Sequence, residues 1–420
     1  MKTTETTHYD LIVIGGGASG LIAAGRAGER GLRVLLLEKN NRLGEKLRIS
    51  GGGRCNITNA QENERELLKH YGEAEQSLYS LFAQFGVKDT FSFFESQGLP
   101  LVIEAHHRAF PQSQSAEDVV KTLEIYMRMG NVTIKTNSPV THILTQDNLI
   151  IAVHCGDKKY TATDFLLATG GVSHPKTGST GDGFAWLQSL GHTIQKPTPT
   201  VVPLAVKEQW VKELAGVSLS SVKITFYVDE KKQFHLTGNI LCTHFGLSGP
   251  LILNHAYKVA NIFPTGTVTA TIDLYPQNDL GSLERTIISV FDAHKNKVLK
   301  NIIKEFVPEG TYKGIALLLA QHVDIETKVH SVSKEDRKKI VQLLKALPVT
   351  ITKLMGFDKA VVADGGVPLT EIDMRTMRSK KIPNLFITGD LLHINRPSGG
   401  YSLQLCWTTG YVAANHAGKK

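Results

Sequence analysis

"HYDLIVIGGGASGLIAAGRAGERGLRVLLLEKN", residues 8–40, decides the fold of this 420-residue chain. Leu11 to Ile14 is a short run of branched apolar residues bounded by a turn signal, which predicts a buried parallel strand. The glycines that follow stand as Gly15-x-Gly17-x-x-Gly20. Gly15 permits a sharp turn, Gly17 removes a side chain where a pyrophosphate must approach the backbone, and Gly20 lets the next helix pack close to the strand. That helix is expected from about Gly20 to Arg30. Its N-terminal amides and dipole would face a phosphate, and Ala18 and Ser19 join the cofactor-binding set inside the turn. Gly31 ends it, and Arg33 to Leu37 predicts a second strand. Glu38 closes that strand, with Lys39 beside it. A carboxylate there accepts hydrogen bonds from both hydroxyls of a ribose and disfavours a 2′-phosphate. A lone glycine fingerprint is weak evidence. Set between a strand and a helix, with an acid at the end of the next strand, it predicts a dinucleotide site.

The next segment is "RLGEKLRISGGGRCNITN", Arg42 to Asn59. Gly51, Gly52 and Gly53 make a second flexible loop, with Lys46 upstream and Arg54, Cys55, Asn56, Thr58 and Asn59 downstream. Glycines beside an arginine suit backbone contact with an extended anionic ligand. An ordinary mobile loop would explain the glycines but not the dense polar set. "FLLATGG", Phe165 to Gly171, is a further apolar strand. It ends at Thr169, Gly170 and Gly171, either a second phosphate-side turn or a plain strand-to-loop turn. Nearby "GVSHPKT" looks superficially like a phosphate loop, but Pro175 stands where the glycine before Lys176 belongs. Towards the C-terminus, Leu385 to Thr388 predicts a strand ending in Gly389-Asp390. Gly399-Gly400 then opens an expected helix from Tyr401 to Asn415, with Ser402 and Leu403 in its first turn.

A strand, Gly-Asp and a glycine-opened helix resemble the closing motif of flavoproteins with two dinucleotide folds. Together, "ISGGGRCNITN", "TGSTGDGFAWLQSLGH", "THFGLSGP" and "SGGYSLQ" resemble the HI0933-like bacterial flavoproteins over nearly the whole chain. These are often named NAD(P)/FAD-dependent oxidoreductases, and they include proteins described as aminoacetone oxidases and bile-acid-type enone reductases. The resemblance implies an α/β fold: a discontinuous Rossmann-like FAD-binding domain with an inserted β-barrel-like domain and a small helical domain. It implies bound FAD, with NAD(P)H as a transient donor. It assigns Asp390 to the ribityl chain, the helix start at Gly399 to Leu403 to the flavin pyrimidine, and the Val140 backbone to the adenine. It also implies that the inserted domain covers the flavin. One departure stands out. The family commonly carries an acidic, glycine-rich run before the last helix, whereas this chain has "HINRPSGG", with Arg396 and Pro397. A fixed positive charge at the flavin edge would favour a carboxylate or a polarised carbonyl over a cationic amine, unless Arg396 pairs instead with a surface acid.

The composition is that of an ordinary globular protein, with 41% hydrophobic and 20% charged residues. The formal net charge is +8 and the pI about 9.1. Such a balance suits an acidic partner, but much of the excess lysine lies between Lys295 and Lys345, where it reads as solvated helix faces. With no evident basic tail or RNA-binding motif, nucleic acid is disfavoured as a partner and a small-molecule substrate is expected. The four cysteines form no C-x-x-C, which argues against a zinc knuckle or dithiol pair and fits a reducing cytoplasm. The start lacks a signal-peptide core, and no apolar run has the length of a membrane span. A cytoplasmic location is expected; the sequence leaves the oligomeric state open.

Pro197, Pro199 and Pro203 punctuate a boundary. The expected division is residues 1–194 and 363–420 for the FAD-binding domain, 195–275 and 348–362 for an inserted β-rich domain, and 276–347 for a helical subdomain. In the last, Leu283, Ile287 and Phe291, then Val298, Ile302 and Phe306, and later Ile340, Leu343 and Leu344 recur at helical spacing. Ser333 can cap the final helix, with Asp336 three residues on.

Flavin chemistry asks little of side chains, since the ring itself carries the hydride. His244, in "CTHFGLSGP", is the candidate substrate-side acid, expected in a loop before a helix; the alternative is a histidine that holds that loop. Tyr401 would lie over the ring or simply pack. His106 and His107 would point apart on a strand, so they make no shared metal site. Cys55 and Cys406 read as packing residues. The expected activity is NAD(P)H-linked, FAD-dependent reduction of an electron-poor C=C or C=O bond in a small organic molecule. An oxygen-dependent aminoketone oxidase and an RNA-modifying flavoprotein are the alternatives.

Overall fold

The apolar run of residues 11–14 lies at the centre of a parallel sheet. In the computed structural model, which describes residues 8–419, the strand His8–Ile14 pairs in parallel with Val34–Leu37 on one side and Lys158–Leu167 on the other. Thr133–Lys135 extends the first side and Leu385–Ile387 the second, both parallel. Leu11, Ile12 and Val13 are fully buried, as a strand covered on both faces requires. The register aligns the strand ends. Ile14 stands opposite both Leu37 and Leu167, and Leu167 opposite Ile387. The turns after residues 14, 37, 167 and 387 therefore meet at one edge of the sheet, where open α/β sheets hold their ligands.

The first helix, Ala18–Glu29, packs against the closing helix, Tyr401–His416. Small residues allow the close approach: a Cβ on Gly410 would stand 2.4 Å from the Ser19 carbonyl oxygen. The helix starts two residues before Gly20, and Gly31, at φ +82°, follows its end. His106 and His107 are not on a strand. They occupy a short 3-10 turn between Leu101–Glu104 and Arg108–Pro111, at φ +61° and +57°.

A second compact unit spans Thr200–Ala360. Its six strands close a barrel in the order Leu204–Val206, Gly246–Ser248, Lys231–Thr243, Ser218–Val228, Val268–Asp273 and Leu347–Leu354. Alternation along Val268–Asp273 buries Val268, Ala270 and Ile272. The helices Leu280–Ala293, Tyr312–Leu319 and Lys334–Lys345 share the barrel's core through Ile287, Leu319 and Ile340. Ser333 caps the last of them, its Oγ accepting from the Asp336 amide at 3.0 Å. Among the described residues, no helix is long and apolar enough to cross a membrane.

Candidate active site

The first turn at the sheet edge is built for close backbone approach. Gly15 has φ +107°, and a Cβ there would lie 2.4 Å from the Ala168 carbonyl oxygen. A Cβ on Gly20 would lie 1.9 Å from the Gly15 carbonyl oxygen. Gly17 differs: a Cβ there would meet no protein atom within 4 Å. The helix that begins at Ala18 has no side-chain cap and no acid in its first turn. Its leading amides therefore keep their donors for an outside acceptor. Ser19 is buried, with its Oγ accepting from Thr388 Oγ1 at 3.3 Å.

Glu38 is buried at the end of the second strand. One carboxylate oxygen accepts from the Gly16 amide at 2.7 Å and the other from the Asn40 amide at 2.8 Å. Each oxygen keeps a further lone pair, so the group is fixed yet able to accept from ribose hydroxyls. Lys39 is committed elsewhere, to Asp182 at 2.7 Å and to the Thr180 hydroxyl. Val140 is half-buried against the core of this unit. Thr169 packs tightly on the helix Asp182–Ser189, where a Cβ on Gly183 would stand 2.2 Å from Thr169 Oγ1. Gly170 turns at φ +71° beside Ser179, and Gly171 lies against the Asp390 backbone.

A second set gathers near the start of the closing helix. Gly51, Gly52 and Gly53 all have left-handed φ, and Cβ atoms on Gly52 and Gly53 would meet nothing within 4 Å. Arg54 is tied to Glu104 at 2.9 Å and Gln114 at 2.8 Å, and lies 4.0 Å over the Phe110 ring. Beyond Cys55 the polar residues stitch the two ends of the chain together. With its amide oriented to satisfy its neighbours, Asn56 accepts from the Gly400 amide at 3.0 Å. Asn59 donates to the Gly399 carbonyl at 3.1 Å. The buried Thr58 hydroxyl donates to Gln404 Oε1 at 2.6 Å. A Cβ on Gly400 would collide with the Thr58 backbone at 2.3 Å. Tyr401 is buried, its ring 4.8 Å from His70 and 6.0 Å edge-on to Tyr71, whose hydroxyl donates to the Tyr401 carbonyl at 2.9 Å. Leu403 is partly buried against the same core. Burial pushes the Cys55 and Cys406 thiols up to about 12, so both are neutral.

Gly389 and Asp390 follow the last strand. Lys46 reaches one Asp390 oxygen at 3.1 Å and Arg396 pairs with the other. Burial opposes ionisation of Asp390, but Lys46 and Arg396 prevail and hold its carboxyl below the usual range. Arg396 also donates to Ser402 Oγ at 2.9 Å and to the Ile394 carbonyl at 2.6 Å. Its side chain is 2% exposed. Of the two expectations for Arg396, the structure shows the pairing with an acid: it is bonded to the partly buried Asp390 rather than presenting a free charge. His244 sits on the second unit, at the exposed turn between Lys231–Thr243 and Gly246–Ser248, its ring 4.9 Å edge-on to Phe245. Asn40, Ser179, Asp182, Gln404 and the pairing of Arg396 escaped the sequence reading. Ser179 and Asp182 left a signal inside the glycine-rich "TGSTGDG", and Gln404 inside "SGGYSLQ".

Aligned strand ends, open glycine turns and uncapped helix starts define a Rossmann-type dinucleotide-binding protein. The chain belongs to the HI0933-like family, whose description, HI0933-like protein Rossmann domain, matches residues 9–416, and whose members are FAD-dependent oxidoreductases. It is 28% identical over 414 residues to the 3-dehydro-bile acid delta(4,6)-reductase of Clostridium scindens, covering 97% of this chain and 98% of that one. It is equally 28% identical over 413 residues to the ribosomal RNA dihydrouridine synthase of Escherichia coli, covering 97% of each. The 3-ketosteroid-delta4-(5alpha)-dehydrogenase of Rhodococcus jostii shares the fold, with a TM-score of 0.55 at 14% identity over 100% of this chain and 99% of that one. The residues present fit FAD: the space in front of Gly17, Gly52 and Gly53 is free of protein atoms, and Glu38 keeps lone pairs for a ribose.

Proposed function

We propose that this protein reduces an electron-poor C=C bond conjugated to a carbonyl in a small organic molecule, with NAD(P)H as donor and FAD as carrier. The observation that carries the reading is the end-to-end similarity to the Clostridium scindens reductase. FAD, when bound, supplies a hydride to the carbon β to the carbonyl. The amides at Gly17 to Ser19 bind the pyrophosphate, Glu38 orients a ribose, and Asp390 accepts from the ribityl chain. The glycine-opened start of the closing helix, at Gly400, stabilises negative charge on the reduced ring through its dipole. The α carbon takes up a proton, so that one hydride and one proton add across the bond.

A second reading is uridine reduction in RNA. The E. coli and Haemophilus influenzae relatives named ribosomal RNA dihydrouridine synthase favour it, as does the net charge of +8. The chemistry is the same, because the reducible bond of uracil is conjugated to a carbonyl. Anaerobic stopped-flow reduction by NADH and NADPH, followed by mixing with a steroid-type enone or a uridine-containing RNA, tests both. Reoxidation by the enone supports the first reading. RNA-dependent reoxidation with steeply salt-sensitive binding replaces it with the second. Hydrogen peroxide formed from an aminoketone in air, with no reduction by either nucleotide, overturns both.

A further inference from the structure

The proposed reaction gives Arg396 no task. Its geometry is that of a buried cation held at each of its three nitrogens. Nε donates to Ser402 Oγ at 2.9 Å, Nη1 to the Ile394 carbonyl at 2.6 Å, and Nη2 to Asp390. Lys46 holds the second Asp390 oxygen at 3.1 Å. Two cations thus surround one carboxylate, a surplus of one positive charge. The neighbouring Cys406 thiol and Tyr71 phenol are buried and neutral and offset none of it. Ser402 lies in the first turn of the closing helix, whose positive end adds charge of the same sign.

We propose that Arg396 is a positioning residue that raises the reduction potential of bound FAD: it fixes Asp390 and leaves net positive charge beside the start of the closing helix, which favours the more electron-rich cofactor. The inference rests on FAD binding at this end of the sheet. A substrate-reading role would require an exposed donor, and the Arg396 side chain is 2% exposed.

The test compares wild type, Arg396→Gln and Arg396→Lys as FAD-loaded proteins, by anaerobic spectroelectrochemical titration against reference dyes. Arg396→Gln is expected to lose about tenfold in the preference for reduced over oxidised FAD, a shift of about 30 mV to more negative potential for a two-electron couple. Arg396→Lys keeps the charge without the fork and is expected to stay within threefold of wild type. A purely structural role would lower the melting temperature of both variants equally and leave both potentials in place. An FAD-bound Gln variant within threefold of wild type overturns the proposal. Where the Gln variant fails to hold FAD, Ser402→Ala removes an anchor of Arg396 without changing charge. It is expected to shift the potential about threefold in the same direction, and no shift overturns the proposal. A wild-type protein that binds no FAD overturns the functional reading itself, a result distinct from any of these.

Discussion

The two units solve the problem of burial differently. Among the described residues, eighteen polar or charged side chains are buried, and just two, Thr225 and Thr311, belong to the unit from Thr200 to Ala360. The barrel and its helices are held by aliphatic and aromatic contacts around Ile287, Leu319 and Ile340. The other unit places Glu38, Asn59, Arg396, Gln404 and Thr408 inside, each with a hydrogen-bonded partner. A buried polar network is costly unless every member is satisfied, so its concentration in one unit marks where the structure is specified for ligand rather than for stability alone.

The sharpest way to break this contrast is at Gly20. Gly20→Val forces side-chain atoms into the Gly15 carbonyl. We expect FAD binding to fall more than a hundredfold, about 3 kcal/mol or more, as read by flavin absorbance after gel filtration. The matched change in the other unit is Leu319→Ala, a fully buried truncation. It should cost about 2–5 kcal/mol of stability, measured by denaturant unfolding, while the flavin spectrum stays intact. Loss of FAD in that variant would refute the division of labour. Glu38→Ala comes next, weakening FAD binding by about 1–3 kcal/mol as charge-assisted bonds are lost.

A subtler test concerns acid. His192 is buried, with Nδ1 2.7 Å from Glu371 and Nε2 2.8 Å from the Ser379 hydroxyl. The order resembles a nucleophile, a base and an acid, yet Ser379 Oγ already accepts the Lys381 and Ile382 amides and is itself buried. The trio is a structural pin. Burial holds the His192 pKa below its ordinary 6.5, so that part of the stability is present above pH 6.5 and is lost as pH falls below it. Burial alone would raise Glu371, but bonds from Lys381, Thr193 and His192 bring it down to about 2. Its contribution is present above 4.5 and fades between 4.5 and about 2. Glu371→Gln should therefore flatten the acid limb of the melting temperature in that lower window, and an unchanged limb would deny the pin. The smallest effect is expected at Ser333→Ala, which removes a helix cap for about 1 kcal/mol and leaves FAD untouched.

The elements that sequence made legible are those whose cause is local. The glycine spacing at residues 15–20, the acid at residue 38, the Gly399-Gly400 opening and the Ser333 cap each follow from neighbours a few residues away. Gln404 stood in the motif "SGGYSLQ", but its pairing was invisible because its partner Thr58 lies 346 residues earlier. Arg396 was visible as an oddity but not as an ion-pair member, since nothing local announces that Asp390 and Lys46 converge on it. His106 and His107 were misplaced because two adjacent left-handed non-glycine residues run against the ordinary preference of the backbone.

The stitching of residues 56–59 to residues 399–404 also sets an order of events in the cell. The strand His8–Ile14 leaves the ribosome long before the helix Tyr401–His416 that completes its site. The whole of the second unit is synthesised before it, and from Val361 to Lys420 a further 60 residues must follow. At roughly 5–20 residues per second, the half-built sheet waits about 3–12 s after the barrel is finished. A nascent chain at that stage has an apolar sheet without its closing helix and no complete place for its cofactor, so translation speed over residues 361–420 sets how long that sheet waits.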